Sequence, residues 1–227
     1  MGTADRGEVC VVGAGGHAKV VIRLLQELGY RVKALFDDNP RKWGQSLLGI
    51  PIVGPPEEGL GNQVPRAVIA IGDNATRKAV VQRLPWEWIT VVHPRAFVDA
   101  SVELGVGSVF LPGAVVQVGS VVGSHVVINT NASVDHDCVV GDFVHVGPGA
   151  HVTADCHLKE GCFLGAGTVT KPGTHIGSWT TVGAGAAVVQ NLPGHVVALG
   201  VPARISRCLV EIAHSRNEAL PGEKTAS

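Results

Sequence analysis

Ten histidines stand in a chain of 227 residues, and one of them, His136, is followed directly by Asp137. A neutral imidazole accepts a proton near pH ~6.5, which suits it to collect the proton released when an amine or hydroxyl attacks a thioester carbonyl. An adjacent carboxylate can fix the ring tautomer and stabilise the imidazolium. Neighbours along a strand point apart, so this pair can cooperate only at a corner. Near the N-terminus the run Val12-Gly13-Ala14-Gly15-Gly16-His17-Ala18-Lys19 offers a second chemistry. Its glycines let backbone N–H groups approach a phosphate at a helix N-terminus. Asp37, twenty-two residues past Gly15, suits a ribose hydroxyl. Arg77 and Lys78 fall in the first turn of a second predicted helix, where positive charge opposes the dipole; a bound phosphate or plain solvation would each relieve that cost.

Other candidates argue less. His151, His157 and His175 share one repeat position, the last two 18 residues apart, and read as an exposed row rather than a zinc site. No metal is expected. His93, ahead of Pro94, reads as structural. Five cysteines at irregular spacing make no disulfide framework. Cys138, Cys156 and Cys162 read as small hydrophobes pointing inward. Trp179 has no account at this level.

Residues 98–193 divide into sixteen hexads without insertion. The first position is large and apolar in all but Thr170, and the fifth is Val, Ser, Ala, Cys or Thr in all but Leu192. No helix of period 3.6 holds one face with a strict period of six over such a length. A parallel β-helix does: each hexad is a short strand plus a corner, three hexads make an 18-residue coil, and glycine at the second position, as in Gly105 and Gly165, eases the corner backbone. His136 then occupies a third position, at a corner facing outward.

Residues 1–92 carry a different pattern. A strand at Glu8–Val12, the glycine turn, a helix closed by Gly29, and strands at 32–36, 68–71 and 89–92 describe a small βαβ sheet. A second helix runs to Leu84 before Pro85. Ninety residues supply only one mononucleotide-binding half, which favours a nucleotide bearing a sugar over a dinucleotide. A short helix is predicted over 205–213, and 221–227 reads as a disordered tail.

Composition agrees with a folded domain. Hydrophobic residues make up 45% and charged residues 16%, with a net charge of −1. That balance excludes a disordered chain and offers no basic surface for nucleic acid. No apolar run approaches the ~18 residues of a membrane span, and no secretory signal is legible. With unpaired thiols, this leads to the expectation of a cytoplasmic protein.

The hexads resemble the hexapeptide-repeat acyltransferases, which implies a left-handed parallel β-helix after an α/β Rossmann-like half domain. The boundaries expected are 1–92, 93–206 and 207–227. The glycine run, Asp37-Asp38, Ile71-Gly72-Asp73-Asn74, Val134-Asp135-His136-Asp137-Cys138, His145 and the closing Leu199-Gly200-Val201-Pro202-Ala203-Arg204 narrow the resemblance. They are similar to bacterial nucleotide-sugar N-acetyltransferases of 4-amino-4,6-dideoxyhexoses and to sialic acid O-acetyltransferases. The resemblance implies a homotrimer with acetyl-CoA between adjacent β-helices, His136 as general base and Asp137 as its partner. It implies acetyl-CoA contacts at His145 and at the backbone of Ala166 and Ala184. It implies nucleotide-sugar contacts at Gly13, Gly15, Gly16, His17, Asp37, Asp38, Gly72 and Asn74. Sugar O-acetylation, a zinc carbonic anhydrase and a non-catalytic nucleotide-binding scaffold are the alternatives; the zinc fold would need a His-x4-His pair that this chain lacks.

Overall fold

The computed structural model describes residues 5–60 and 64–209. Its N-terminal sheet contains Glu8–Val12 (β1), Arg31–Phe36 (β2), Ser46–Leu47 (β3), Ile50–Gly54 (β4), Arg66–Ile69 (β5) and Glu87–Trp88 (β6), in the order β3-β4-β2-β1-β5-β6. All neighbours are parallel except β3 with β4. Alternation sorts the two faces. Val9 and Val11 pack with Ala18, Val21, Ile22, Leu24 and Leu25 of helix α1 (Gly16–Glu27), while Val12 and Ile69 pack with Val80 of helix α2 (Asn74–Arg83). Pro51 and two flanking glycines hide β4 from sequence reading, and its place beside an antiparallel edge strand tolerates them.

The strand expected at 89–92 does not join this sheet. β6 ends it, and Val91–Val92 instead pairs with Val109–Phe110 as the first strand of the next unit. The reason is register: the Val91 N–H donates to Ser108 O and the His93 N–H to Phe110 O, one 18-residue coil ahead.

That unit is a left-handed parallel β-helix with three faces. Face 1 runs from Val91–Val92 through Val109–Phe110, Val127–Ile128, His145–Val146, Phe163–Leu164 and Thr181–Val182 to Val196–Leu199. Face 2 contains Ser133–Val134 and His151–Val152, and face 3 contains Val139–Val140 and His157–Leu158. First-position residues such as Val134, Val140, Val146 and Leu158 are buried in the prism, together with Cys138, Cys156 and Cys162. Burying each such aliphatic side chain is worth about 1.5–3 kcal/mol. Thr170 is buried too, its hydroxyl accepting from the Thr153 N–H and lying against Cys156 Sγ.

The corners correct the role assigned to glycine. From Gly107 to Gly185 the fourth residue of every hexad has positive φ, whether Gly or one of His125, Asn131, Asp137, Phe143, Asp155 and Trp179. Second-position glycines serve another purpose: a Cβ on Gly105 would lie 2.4 Å from the backbone of the next coil. Strand stacking at that spacing excludes a side chain.

The C-terminus also departs from expectation. Arg204–Cys208 is a strand antiparallel to Val196–Leu199, where a helix was predicted. It pairs an otherwise open edge of face 1. Residues 210–213 and the tail 221–227 lie outside the described residues.

Candidate active site

Three strand ends make the first part of the site. The glycine turn after β1, Asp37-Asp38 after β2 and Ile71-Gly72 after β5 meet beyond the carboxyl ends of the parallel sheet, where such folds bind ligands. They enclose a cavity of about 310 Å³ lined also by His17, Lys42 and Thr76. Gly13 has φ +106°, and a Cβ there would stand 2.8 Å from Ala70 O. Helix α1 has Gly15 at its N-cap, no capping side chain and no acid in its first turn, so its N-terminal amides face the cavity uncompensated.

Asp37 shapes this turn. Its Oδ2 accepts from the Ala14 N–H and from Lys42 Nζ, each at 2.8 Å, and its Oδ1 accepts from the Asn39 N–H at 3.0 Å. Partial burial opposes ionisation, but the hydrogen bonds from Lys42, Asn39 and Ala14 outweigh it and hold the carboxyl below its ordinary range. A carboxylate has about four acceptor positions, so one is left for a ligand hydroxyl. Asp38 is ion-paired with Arg83.

His17 lines the cavity, and His145 of the prism lies beside it. His17 and His145 have ring centroids 6.1 Å apart. His145 Nδ1 lies 3.2 Å from Gly72 O and its Nε2 lies 2.9 Å from Asn129 Nδ2, whose Oδ1 accepts from the Thr130 N–H. These partners fix a neutral ring with the proton on Nδ1. Burial, followed by the nearby Arg77 charge, lowers both His17 and His145 to about 4. His17 Nε2 is buried without a hydrogen-bond partner among the described residues.

The third part lies elsewhere. His136 and Asp137 sit on the edge between faces 2 and 3, opposite face 1 and His145. Their side chains are 49% and 61% exposed, and His136 Nδ1 meets Asp137 Oδ2 at 2.8 Å. Positive φ at Asp137 (57°) brings adjacent side chains to one side of the corner, which a strand would forbid. The bond from Asp137 raises the His136 pKa, opposed by desolvation and helped by Asp135, Asp137 and Asp155. With Nδ1–H given to the carboxylate, Nε2 keeps its lone pair for an incoming proton. Six residues per side span at most roughly 20 Å, so the prism body separates His136 from the cavity of its own chain.

On the edge between faces 1 and 2, Ala166 and Ala184 are exposed one coil apart. Neither amide N–H donates to a backbone carbonyl among the described residues.

A family model described as the PglD N-terminal domain matches residues 8–84. PerB from Caulobacter crescentus, solved with CoA and GDP-perosamine, is 38% identical with a TM-score of 0.84, over 89% of this chain and 98% of that one. The chain belongs to the nucleotide-sugar N-acetyltransferase family. The acetyltransferase domain of PglB from Neisseria gonorrhoeae, solved with acetyl coenzyme A, is 36% identical with a TM-score of 0.80, over 89% of this chain and 100% of that one. UDP-N-acetylbacillosamine N-acetyltransferase of Bacillus subtilis is 36% identical over 113 residues, 45% of this chain and 50% of that protein. The aligned segments span half or less of the curated relatives they match.

In this member of the nucleotide-sugar N-acetyltransferase family, Gly13, Gly15, Gly16, His17, Asp37, Asp38 and Gly72 do converge on one cavity. Asn74 does not face it. Its amide donates to Gly161 O and Cys162 O, at 3.0 and 3.1 Å, and its Oδ1 accepts from Arg77, so it joins α2 to the prism instead. Arg77 is neither solvated nor beside the cavity as an anion ligand; it is fully buried beneath it. Lys78 is ion-paired with Glu160 and lies over the Trp179 ring, 5.3 Å from its centroid. His157, half-buried, and His175, exposed, stack with ring centroids 4.5 Å apart, as their 18-residue spacing predicts. Lys42 and Asn129 escaped sequence reading. Lys42 lies in a short turn with no motif, and the Asn129 contact depends on the 18-residue coil, which seats it near His145.

Proposed function

We propose that this protein transfers the acetyl group of acetyl-CoA to the amino group of a nucleotide-linked 4-amino-4,6-dideoxy sugar, working as a homotrimer in the cytoplasm. The observation that carries the reading is the division of the chemistry between opposite sides of one chain. The nucleotide cavity and His145 lie on the face 1 side, and the His136–Asp137 pair lies on the edge opposite. Such an arrangement becomes a complete site when His136 of the partner subunit meets the cavity of its neighbour, as in a closed ring of three.

In this reading the diphosphate rests on the amides of the glycine turn and the start of α1, and Asp37 accepts from the ribose. The pantetheine arm follows the free amides of Ala166 and Ala184. The sugar amine attacks the thioester carbonyl, the C–N bond forms and the C–S bond breaks. His136 Nε2 takes the amine proton, Asp137 stabilises the imidazolium, and the CoA thiolate leaves. No covalent acyl-enzyme is needed, and Cys138, the thiol nearest His136 in sequence, is buried in the core with its pKa pushed up to about 11 by burial. The relative named as a UDP-N-acetylbacillosamine N-acetyltransferase favours an amine over a hydroxyl acceptor.

Steady-state assays with acetyl-CoA and GDP-, UDP- or dTDP-linked 4-amino sugars test the proposal. The expected result is transfer to at least one of them, reduced about 10²–10⁴-fold by His136→Ala. Normal turnover by that variant, or no transfer to any amino sugar, would end the reading.

A further inference from the structure

Arg77 has no part in the acetyltransferase reading above, yet that reading depends on where this side chain sits. The residue lies in the first turn of α2 and is fully buried. Its guanidinium meets five acceptors: Ile71 O, Gly72 O, His125 O, Phe143 O and Asn74 Oδ1. None is a carboxylate. A buried charge costs several kcal/mol unless paired, so such a site is stable only because carbonyl dipoles surround the cation. Those dipoles come from separate pieces of chain. Ile71 and Gly72 form the cavity floor, while His125 and Phe143 occupy successive corners between faces 3 and 1. The Gly72 carbonyl is shared, accepting from Arg77 Nη1 at 3.3 Å and lying 3.2 Å from His145 Nδ1.

We propose that Arg77 is the positioning residue of the site: it locks the Ile71-Gly72 floor to two prism coils and, through the shared Gly72 carbonyl, holds His145 as the neutral Nδ1–H tautomer beside His17. The geometry explains the preference for the neutral ring. Protonated His145 would add an N–H at Nε2, directed at the Asn129 Nδ2 amide, donor against donor. Charge acts the same way. The groups facing the guanidinium are His17 from α1, His145 and His125 (with Asp142 beside it) from the prism, and Asp73 from its own helix. Asp73 caps the helix at Thr76 and offsets part of that charge from the side, making no ion pair with Arg77 among the described residues, so the guanidinium remains the cation bonded closest to the His145 site.

Two variants separate this role from a merely structural one. Imidazole NMR signals of His17 and His145 would be followed against pH in the wild type, Arg77→Lys and Arg77→Gln, alongside kcat/KM. In the wild type both rings should stay neutral at pH values well above about 4. Arg77→Lys keeps the charge and loses the fork, so the rings should stay neutral while kcat/KM falls by about 10²-fold through misplacement of the floor. Arg77→Gln should raise the titration of both rings above the wild-type value of about 4, only part of the way to the ordinary ~6.5 because burial, the larger cause, remains. Rings that titrate in Arg77→Gln as in the wild type, or Arg77→Lys at wild-type kcat/KM, would overturn the proposal. If fluorescence of Trp86 and Trp88 reports that Arg77→Gln does not fold, Arg77→Lys decides alone. Wild-type protein without acetyl transfer would count against the function proposed, whereas the ring titrations would still judge Arg77.

Discussion

At the scale of the residue, the proposed role of His136 as base makes its contact with Asp137 the determinant of the proton chemistry. Asp137 raises the His136 pKa, so more of the imidazole is protonated, and unable to act as base, as pH falls toward neutrality. The acid limb of kcat/KM for the wild type should therefore lie above the usual histidine value near ~6.5. Asp137→Asn should move that limb downward and lower the plateau, which a pH–rate profile reads directly. A limb that stays put would mean that another group governs it. The pairing was only half legible in sequence. Residue types and hexad position were readable, but the orientation of the two side chains depended on the left-handed conformation of Asp137, which an aspartate tolerates better than most residues but does not dictate.

At the scale of the element, the glycine turn joins β1 to α1 under tight clearance. Gly13→Ala places a Cβ against Ala70 O in a backbone conformation that L-residues avoid, and should destabilise the fold by about 1–3 kcal/mol. A denaturant midpoint unchanged from the wild type would contradict this. Gly16 has open space around it, so a side chain there should fold but enter the cavity. Sequence reading found this turn because its glycines announce it. It misjudged the second-position glycines of the prism, since nothing local distinguishes a glycine needed for φ from one needed for the approach of the next coil.

At the scale of the whole molecule, two consequences follow from how the sheet unit sits on the prism. The first concerns pH. His17 is half-buried and His145 buried, and both are lowered to about 4, below the ordinary ~6.5 of an unfolded chain. The unfolded state therefore binds more protons between those values, and stability is complete above ~6.5 and lost progressively as pH falls toward about 4. The loss from one ring at full protonation is on the order of 3 kcal/mol. Chemical denaturation at several pH values should show it, and a flat profile over that window would argue against buried neutral rings. The second consequence concerns assembly. Mixed oligomers of His136→Ala and Gly16→Glu combine an intact cavity in one chain with an intact base in its neighbour. For the proposed homotrimer, random 1:1 mixing should recover about one quarter of wild-type activity. No recovery in verified mixed oligomers would mean that the site does not cross between chains.

The sequence by itself determined the prism, because a period of six dictates which side chain enters the core at every coil. It also determined the glycine turn, because Gly13, Gly15 and Gly16 stand within four residues between a strand and a helix. Only the tertiary structure decided what Asn74 and Arg77 do. Their partners lie 48 to 88 residues away at prism corners, and no local pattern predicts a cation satisfied by backbone carbonyls from separate coils. It likewise decided that His136 and His145, nine residues apart, stand on opposite sides of the prism. A chain that turns a corner every six residues converts small sequence separations into a change of face.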